Sequence, residues 1–205
     1  MAIKIENVDI HGWESSVRGT RNPLNSWKQS DSGLTVEGDF LVGKKDLKLM
    51  KSLVKAGNDH AKFMRFITVT LDITAPLYWW KEFDTYKVGT VANSCSTMHK
   101  IADKEFAIDD FSTEHLWDDS QDCLGETINA LNWNRERFLK TKEKDYWWQM
   151  IQLLPSSYNQ RRTLLLTYAV LRNMYHARKN HKLDEWREFC EWIETLPHSE
   201  LITEG

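Results

Sequence analysis

Leu164, Tyr168, Leu171, Tyr175 and Arg178 recur at spacings of four, three, four and three residues. A helix running from Thr163 to Arg178 would gather them on one side, an apolar row that ends in a cation. A guanidinium at the buried end of such a row needs a counter-group: a protein carboxylate, the solvent edge or an anionic ligand. The stretch TYKVGTVANSCSTMH, Thr85 to His99, holds the other concentration of chemistry. Gly89 permits a tight exit from a preceding helix, and Asn93, Ser94, Ser96 and Thr97 follow as short hydrogen-bonding side chains. Hydroxyls and backbone N–H groups in such a loop can cradle phosphate, with Lys87 or Arg178 to neutralise it. The same cluster also suits an ordinary turn.

The elements that must position these residues read as strands first and helices later. Alternation at Ile3, Ile5, Val8 and Ile10, and again at Leu34, Val36 and Phe40, predicts two early strands that pair with each other across a Gly/Ser/Asn-rich stretch, Gly19 to Gly33. Helical spacing of Leu47, Met50 and Val54 predicts a helix over Asp46–Ala56, with Gly57 as its stop. The β-branched run Phe66–Thr74 is the strongest strand signal, and Pro76 opens a helix over Leu77–Lys87 that carries Trp79, Phe83 and Tyr86 on one face. Ala102–Gly125 is acidic and irregular, which suits a surface excursion or lid. Helices are predicted for Glu126–Lys140, Asp145–Leu154, Asn159 to about Asn180, and Leu183–Thr195. The pattern is α+β, and 205 residues suit one domain spanning 1–205.

Composition narrows the function classes. Hydrophobic residues make up 41% and charged residues 28%, with a net charge of -3, so the chain is globular and lacks the positive excess of a bulk nucleic-acid binder. The ten tryptophans, among them Trp79-Trp80, Trp147-Trp148, Trp186 and Trp192, suit core and subunit interface, with one or two free to stack on a base or a flavin. Three widely spaced cysteines, Cys95, Cys123 and Cys190, form neither a disulfide framework nor a zinc pattern, and they fit a reducing cytoplasm. No apolar stretch reaches membrane-spanning length, and no signal-peptide core opens the chain. His176 and His181 have poor spacing for one metal, and Asp109-Asp110 and Asp118-Asp119 read as an acidic surface. Neither a Gly-x-Ser-x-Gly elbow nor a P-loop is present.

The run from His60 through His99 resembles the core of the flavin-dependent thymidylate synthases. The signature of that family reads Arg-His-Arg, two residues, Ser, one residue, Asn-Glu, one residue, Ser, one residue, Arg-Tyr. Here Thr85-Tyr86-Lys87, Val88-Gly89 and Thr90 are followed, after one inserted residue, by Asn93-Ser94, Cys95, Ser96, Thr97 and Met98-His99. His60 is similarly placed ahead of Ala75-Pro76, and Leu154-Pro155, Arg161, Asn173 and Arg178 keep the family's order downstream. The likeness covers roughly residues 50 to 195.

That resemblance implies an antiparallel sheet packed by helices, a homotetramer, and a pyrimidine nucleotide as ligand. It implies that Arg178 holds and polarises the pyrimidine of dUMP, with Glu82, Lys87, Ser94 and Ser96 as further substrate contacts. His60, Arg65, Tyr86 and Asn173 are the implied flavin contacts. The implied reaction methylates dUMP, or a related pyrimidine nucleotide, with a one-carbon unit from methylenetetrahydrofolate and a hydride from FAD that NADPH recharges. No protein nucleophile is needed, so Cys95 is expected to be an ordinary thiol. Departures from the signature are extensive. Thr85, Lys87 and Met98 stand at its arginine positions, Ser94 at its glutamate, and Glu82 at a preceding glutamine. Lysine is not equivalent to a bidentate arginine. Lys62, Arg65, Arg161 and Arg162 are candidates for replacement charge. The alternative function is a noncatalytic protein that binds or sequesters a nucleotide or a nucleotide-derived signal in the same pocket.

Overall fold

The computed structural model describes residues 3–204. Along the chain run β1 (Lys4–His11), α1 (Trp13–Arg21), β2 (Gly33–Leu34), β3 (Phe40–Leu41), α2 (Lys44–Lys55), β4 (Thr68–Pro76) and α3 (Leu77–Phe83). Then come β5 (Val91–Ser94), α4 (Thr97–Lys100), α5 (Asp118–Thr141), α6 (Lys144–Leu153), β6 (Asn159–Thr167), α7 (Tyr168–Arg178), α8 (Asp184–Glu194) and α9 (Glu200–Thr203). The architecture is α+β. Four strands form an antiparallel sheet of order β1-β4-β6-β5, and β2 and β3 pair separately, Gly33 opposite Leu41 and Leu34 opposite Phe40.

β4 shows why the sheet forms where it does. Val69, Leu71, Ile73 and Ala75 are buried on one face while Thr68, Thr70, Asp72 and Thr74 remain partly accessible on the other, the period of a half-buried strand. On the polar face Asp72 accepts from Asn7 of β1 at 2.7 Å and from Thr163 of β6 at 2.5 Å, side-chain bonds that bind the neighbouring strands to β4. The expected pairing of the two early strands is therefore wrong. β1 lies beside β4, and the chain leaves it through Gly12 at φ +92°, where a Cβ would fall 1.9 Å from the Phe66 carbonyl oxygen. The second early run supplies only the short β2-β3 hairpin, and its Val36 is fully exposed.

The helix expected from Asn159 to Asn180 is half strand. β6 carries Leu164 and Leu166 into the core, and the helix begins only at Tyr168. The Thr167 hydroxyl accepts from the Val170 N–H, and the Tyr168 N–H reaches the Ile67 carbonyl at 3.0 Å. Pairing and a cap set this boundary, so Leu164 leaves the row while Tyr168, Leu171, Tyr175 and Arg178 stay in it. The helix expected over Leu77–Lys87 stops at Phe83, which leaves Tyr86 in the following loop.

Backbone proximity divides the chain into two compact units, each assembled from three separated stretches. One comprises the start of β1 with residues 73–85 and 93–162. Its core joins Leu124, Ile128 and Leu131 of α5 to Met150 of α6, with Ile101, Phe106 and Phe111. Lys142, at φ 61°, makes the turn between the two helices. The segment Ala102–Gly125 is irregular as expected up to Trp117, but it is anchored to this core. Phe106 and Phe111 are buried in it, both backbone polar groups of Phe106 are held by the Asn132 amide at 2.8 Å, and α5 already starts at Asp118.

The other unit comprises residues 5–72, 86–92 and 163–205. There α7 packs against α8, α9 and the short 3-10 turn Ala61–Arg65, and α1 packs against the same turn and α2. Asp46 of α2 is fully buried. It accepts from Arg21 Nε at 2.7 Å, from the Ser30 and Ser32 hydroxyls at 2.7 Å each, and from the N–H groups of Asp31 and Ser32. Burial alone would raise its carboxyl, but these hydrogen bonds outweigh burial and hold it at about 2.

Candidate functional site

Arg178 stands at the last turn of α7, half-buried, at the end of a row whose other members pack inward. Burial and then the charge of Glu200 push the Tyr168 hydroxyl upward, while its hydrogen bond to Glu194 and burial push Tyr175 up to about 12. Both phenols stay neutral at physiological pH, so Arg178 is the cation of this row. Its Nε donates to the Tyr86 hydroxyl at 2.9 Å, and its guanidinium carbon lies 4.9 Å from the centre of the Trp186 ring and 5.6 Å from that of Tyr86. The two rings meet edge to face at 5.9 Å.

Local sequence explains each part. Trp186 is completely buried on α8, where it packs edge to face with Phe189 and His181. Tyr86 reaches the same place because α3 has ended and Gly89, at φ +76°, turns the loop close under Val170 of α7. A β-carbon at Gly89 would sit 3.1 Å from Val170 Cγ2. Stacking on aromatic faces is worth about 0.5 to 2 kcal/mol and fixes the plane of the guanidinium, which is the preparation a planar anion or a pyrimidine carbonyl requires.

The remaining expected site residues are distributed as follows. Lys87 is exposed in the Tyr86–Gly89 loop, and of the two exposed residues His60 and Arg65 the first precedes and the second ends the 3-10 turn Ala61–Arg65. Asn173 is exposed on α7, off the Arg178 row. All four belong to the unit that holds Arg178, Tyr86 and Trp186, and there Tyr86 is hydrogen-bonded to Arg178. Glu82, Ser94 and Ser96 belong to the other unit. Glu82 is half-buried near the end of α3, Ser94 is exposed at the end of β5, and Ser96 caps α4 by accepting from the His99 N–H at 3.2 Å. Ser96 keeps its own hydroxyl proton to donate.

Three positions are spoken for. Arg162, a candidate for replacement charge, pairs with Asp84 at 2.7 Å, donates to Gln160 and lies 4.2 Å over Trp80, so it belongs to that cluster rather than to a ligand. The histidines serve structure: His176 meets the Ile202 carbonyl at 3.0 Å, and His181 Nδ1 accepts from the Leu183 N–H. Among the described residues no group of three or more His, Cys, Asp or Glu is arranged to hold a metal, and no helix is long and apolar enough to cross a membrane. The partnership of Arg178 with Trp186 escaped the sequence reading. The only signal was the aromatic residue eight positions downstream, which a helix turn and a second helix had to fold back.

No protein-family model and no curated protein sequence matches the chain. Solved structures do. Thymidylate synthase X (ThyX) from Helicobacter pylori, with FAD and dUMP, superposes with a TM-score of 0.70 at 14% identity over 98% of this chain and 96% of that one. A second structure of the Helicobacter pylori flavin-dependent thymidylate synthase, also complexed with FAD and dUMP, gives 0.69 at 15% identity over 99% and 97%. The UMP/dUMP methylase PolB from Streptomyces cacaoi, bound with 5-Br dUMP, gives 0.64 at 14% identity over 98% and 94%. Along almost its whole length, the chain has the fold of the flavin-dependent thymidylate synthases.

Proposed function

We propose that this protein binds a pyrimidine nucleotide, dUMP or a close relative, and methylates it. The carrying observation is Arg178, stacked on buried Trp186 and tied to Tyr86 in a fold shared with proteins solved with dUMP or 5-Br dUMP. On this reading Arg178 holds the pyrimidine and draws charge toward its carbonyl oxygen as the ring becomes electron-rich. Lys87, in the same unit, supplies positive charge for the phosphate.

FAD fits the residues present. His60, Arg65 and Asn173 are exposed donors in one unit, with no side-chain hydrogen bond to another described residue. They would hold the flavin together with Tyr86, and bound FAD would supply the hydride that reduces the one-carbon unit. Methylenetetrahydrofolate and NADPH are the co-substrates on the same reading.

One observation favours a second reading, nucleotide sequestration without catalysis. Two positions matching signature arginines carry no charge: the Thr85 hydroxyl is turned onto the Glu82 carbonyl at 2.7 Å, and Met98 is exposed. The purified protein separates the two readings. Flavin absorbance together with saturable dUMP binding by calorimetry supports the synthase. Nucleotide binding without flavin, even after reconstitution with FAD, supports sequestration, and no binding of any pyrimidine nucleotide overturns both.

A further inference from the structure

Two neighbouring cavities, remote in sequence from Arg178, meet at Arg21. The first, of about 520 Å³, is lined by Arg21, Lys28, Gln29, Lys45 and Lys48. The second, of about 440 Å³, has Val17, Trp27, Leu34 and Phe40 among its walls, with Glu14 and Arg18.

Arg21 is a charged side chain only 6% exposed. Its Nε is bound to Asp46 at 2.7 Å and its Nη2 reaches the Gln29 carbonyl at 3.4 Å, but Nη1 has no partner among the described residues and is not sealed from solvent. Asp46 receives five hydrogen bonds and stays ionised, so it fixes the guanidinium plane and leaves one donor edge directed at the cavities. Lys28, Lys45 and Lys48 form no ion pair among the described residues, and no carboxylate lines the first cavity. Three lysines without an ion pair thus surround one hollow beside the Asp46-paired Arg21, and an anion of several charges placed between them lowers their mutual repulsion.

The second cavity supplies what a bare polyanion would not use. Trp27 is 50% exposed, yet its indole N–H is held by the Asn22 side chain at 2.8 Å, so the ring is a fixed apolar face. Leu34 and Phe40, from the β2-β3 hairpin, line the same hollow. A cationic hollow joined to an aromatic one matches a phosphate chain attached to a heterocyclic base.

We propose that this bipartite pocket is a second ligand site, which takes a nucleoside di- or triphosphate with its phosphates among Arg21, Lys28, Lys45 and Lys48 and its base against Trp27. The site does not depend on the Arg178 reading, since neither Arg178, Tyr86 nor Trp186 lines it.

Equilibrium dialysis of the full chain against ATP, GTP, tripolyphosphate and adenosine tests it. Nucleoside triphosphates should bind saturably and more tightly than tripolyphosphate, adenosine should bind at least 100-fold more weakly, and affinity should fall as salt rises. Lys45→Ala with Lys48→Ala should weaken triphosphate binding at least 10-fold while melting temperature and dUMP affinity hold. Trp27→Ala should weaken ATP or GTP but not tripolyphosphate. Absence of saturable triphosphate binding, or unchanged affinity in the double lysine variant, overturns the proposal. Equal affinity for tripolyphosphate and nucleotides, indifferent to Trp27→Ala, overturns it too, because the pocket would then take inorganic anions only. Arg178→Ala should leave ATP binding untouched, so failure here and failure of the dUMP reading are read separately.

Discussion

Arg178 and Tyr86 are 92 residues apart in sequence and 2.9 Å apart in the fold, joined by a hydrogen bond from the guanidinium Nε to the phenol oxygen. The bond fixes one edge of the fork, and the Trp186 ring beneath it fixes the plane. If this pair holds a nucleotide, Arg178→Ala should weaken dUMP binding by about 2 to 5 kcal/mol, and Arg178→Lys should restore only part of the loss. Tyr86→Phe should cost about 1 kcal/mol of affinity by freeing the fork to rotate. Calorimetry and melting curves on the same variants check this. A large fall in melting temperature with unchanged affinity would make Arg178 a structural residue.

The flavin assignment makes a separate demand. His60→Ala and Asn173→Ala remove exposed side chains, so they should leave the melting temperature within a degree or two while lowering FAD affinity roughly 10-fold each, read by flavin fluorescence quenching. Full FAD binding in the double variant would remove both residues from the cofactor site.

We propose that the chain assembles as a tetramer, since large apolar side chains lie open: Val88 is 90% exposed and Trp117 85%. Light scattering should give close to four times 24.2 kDa. A strictly monomeric species at working concentration would remove this expectation.

Asp46 sets an acid limit. Its folded value of about 2 lies below the ordinary 3.8, so its contribution is fully present above about pH 4 and is lost as pH falls toward 2. The shift corresponds to about 2 kcal/mol. Asp46→Asn should cost about 3 kcal/mol at neutral pH by leaving the Arg21 charge buried and uncompensated, and it should flatten the acid dependence. Urea midpoints for both proteins between pH 6 and pH 2.5 test the pair, and parallel curves would show that Asp46 does not carry the titration.

The three thiols should separate by reactivity. Cys95 and Cys123 are exposed, whereas Cys190 is buried and pushed up to about 12 by burial and the charges of Glu194 and Glu191. A thiol reagent at pH 8 should modify two cysteines in the native protein and the third only in denaturant. Fast modification of all three would contradict the packing around α8.

Some features were legible because they are local. The β-branched alternation of Val69, Leu71 and Ile73 dictates a half-buried strand wherever it packs, and the apolar spacing along α2, α6 and α8 dictates helices within a residue or two of those observed. The α+β class followed, and the signature-like run around Gly89 pointed to the right fold. The run from Asn159 to Arg178 could not be divided locally, because consecutive leucines satisfy both a two-residue and a 3.6-residue period. Only pairing with β4 and the Thr167 cap decided where strand gave way to helix. Likewise, nothing near Asp46 or Trp186 announced a partner. A buried carboxylate is tolerated once Arg21, Ser30 and Ser32 converge on it, and a buried indole becomes the floor under a cation once α7 and α8 fold together. The sequence thus determined the elements, since backbone preference and hydrophobic period act between near neighbours. The tertiary structure decided which charges are paired and which face a cavity, because electrostatic cost depends on what surrounds a group in space.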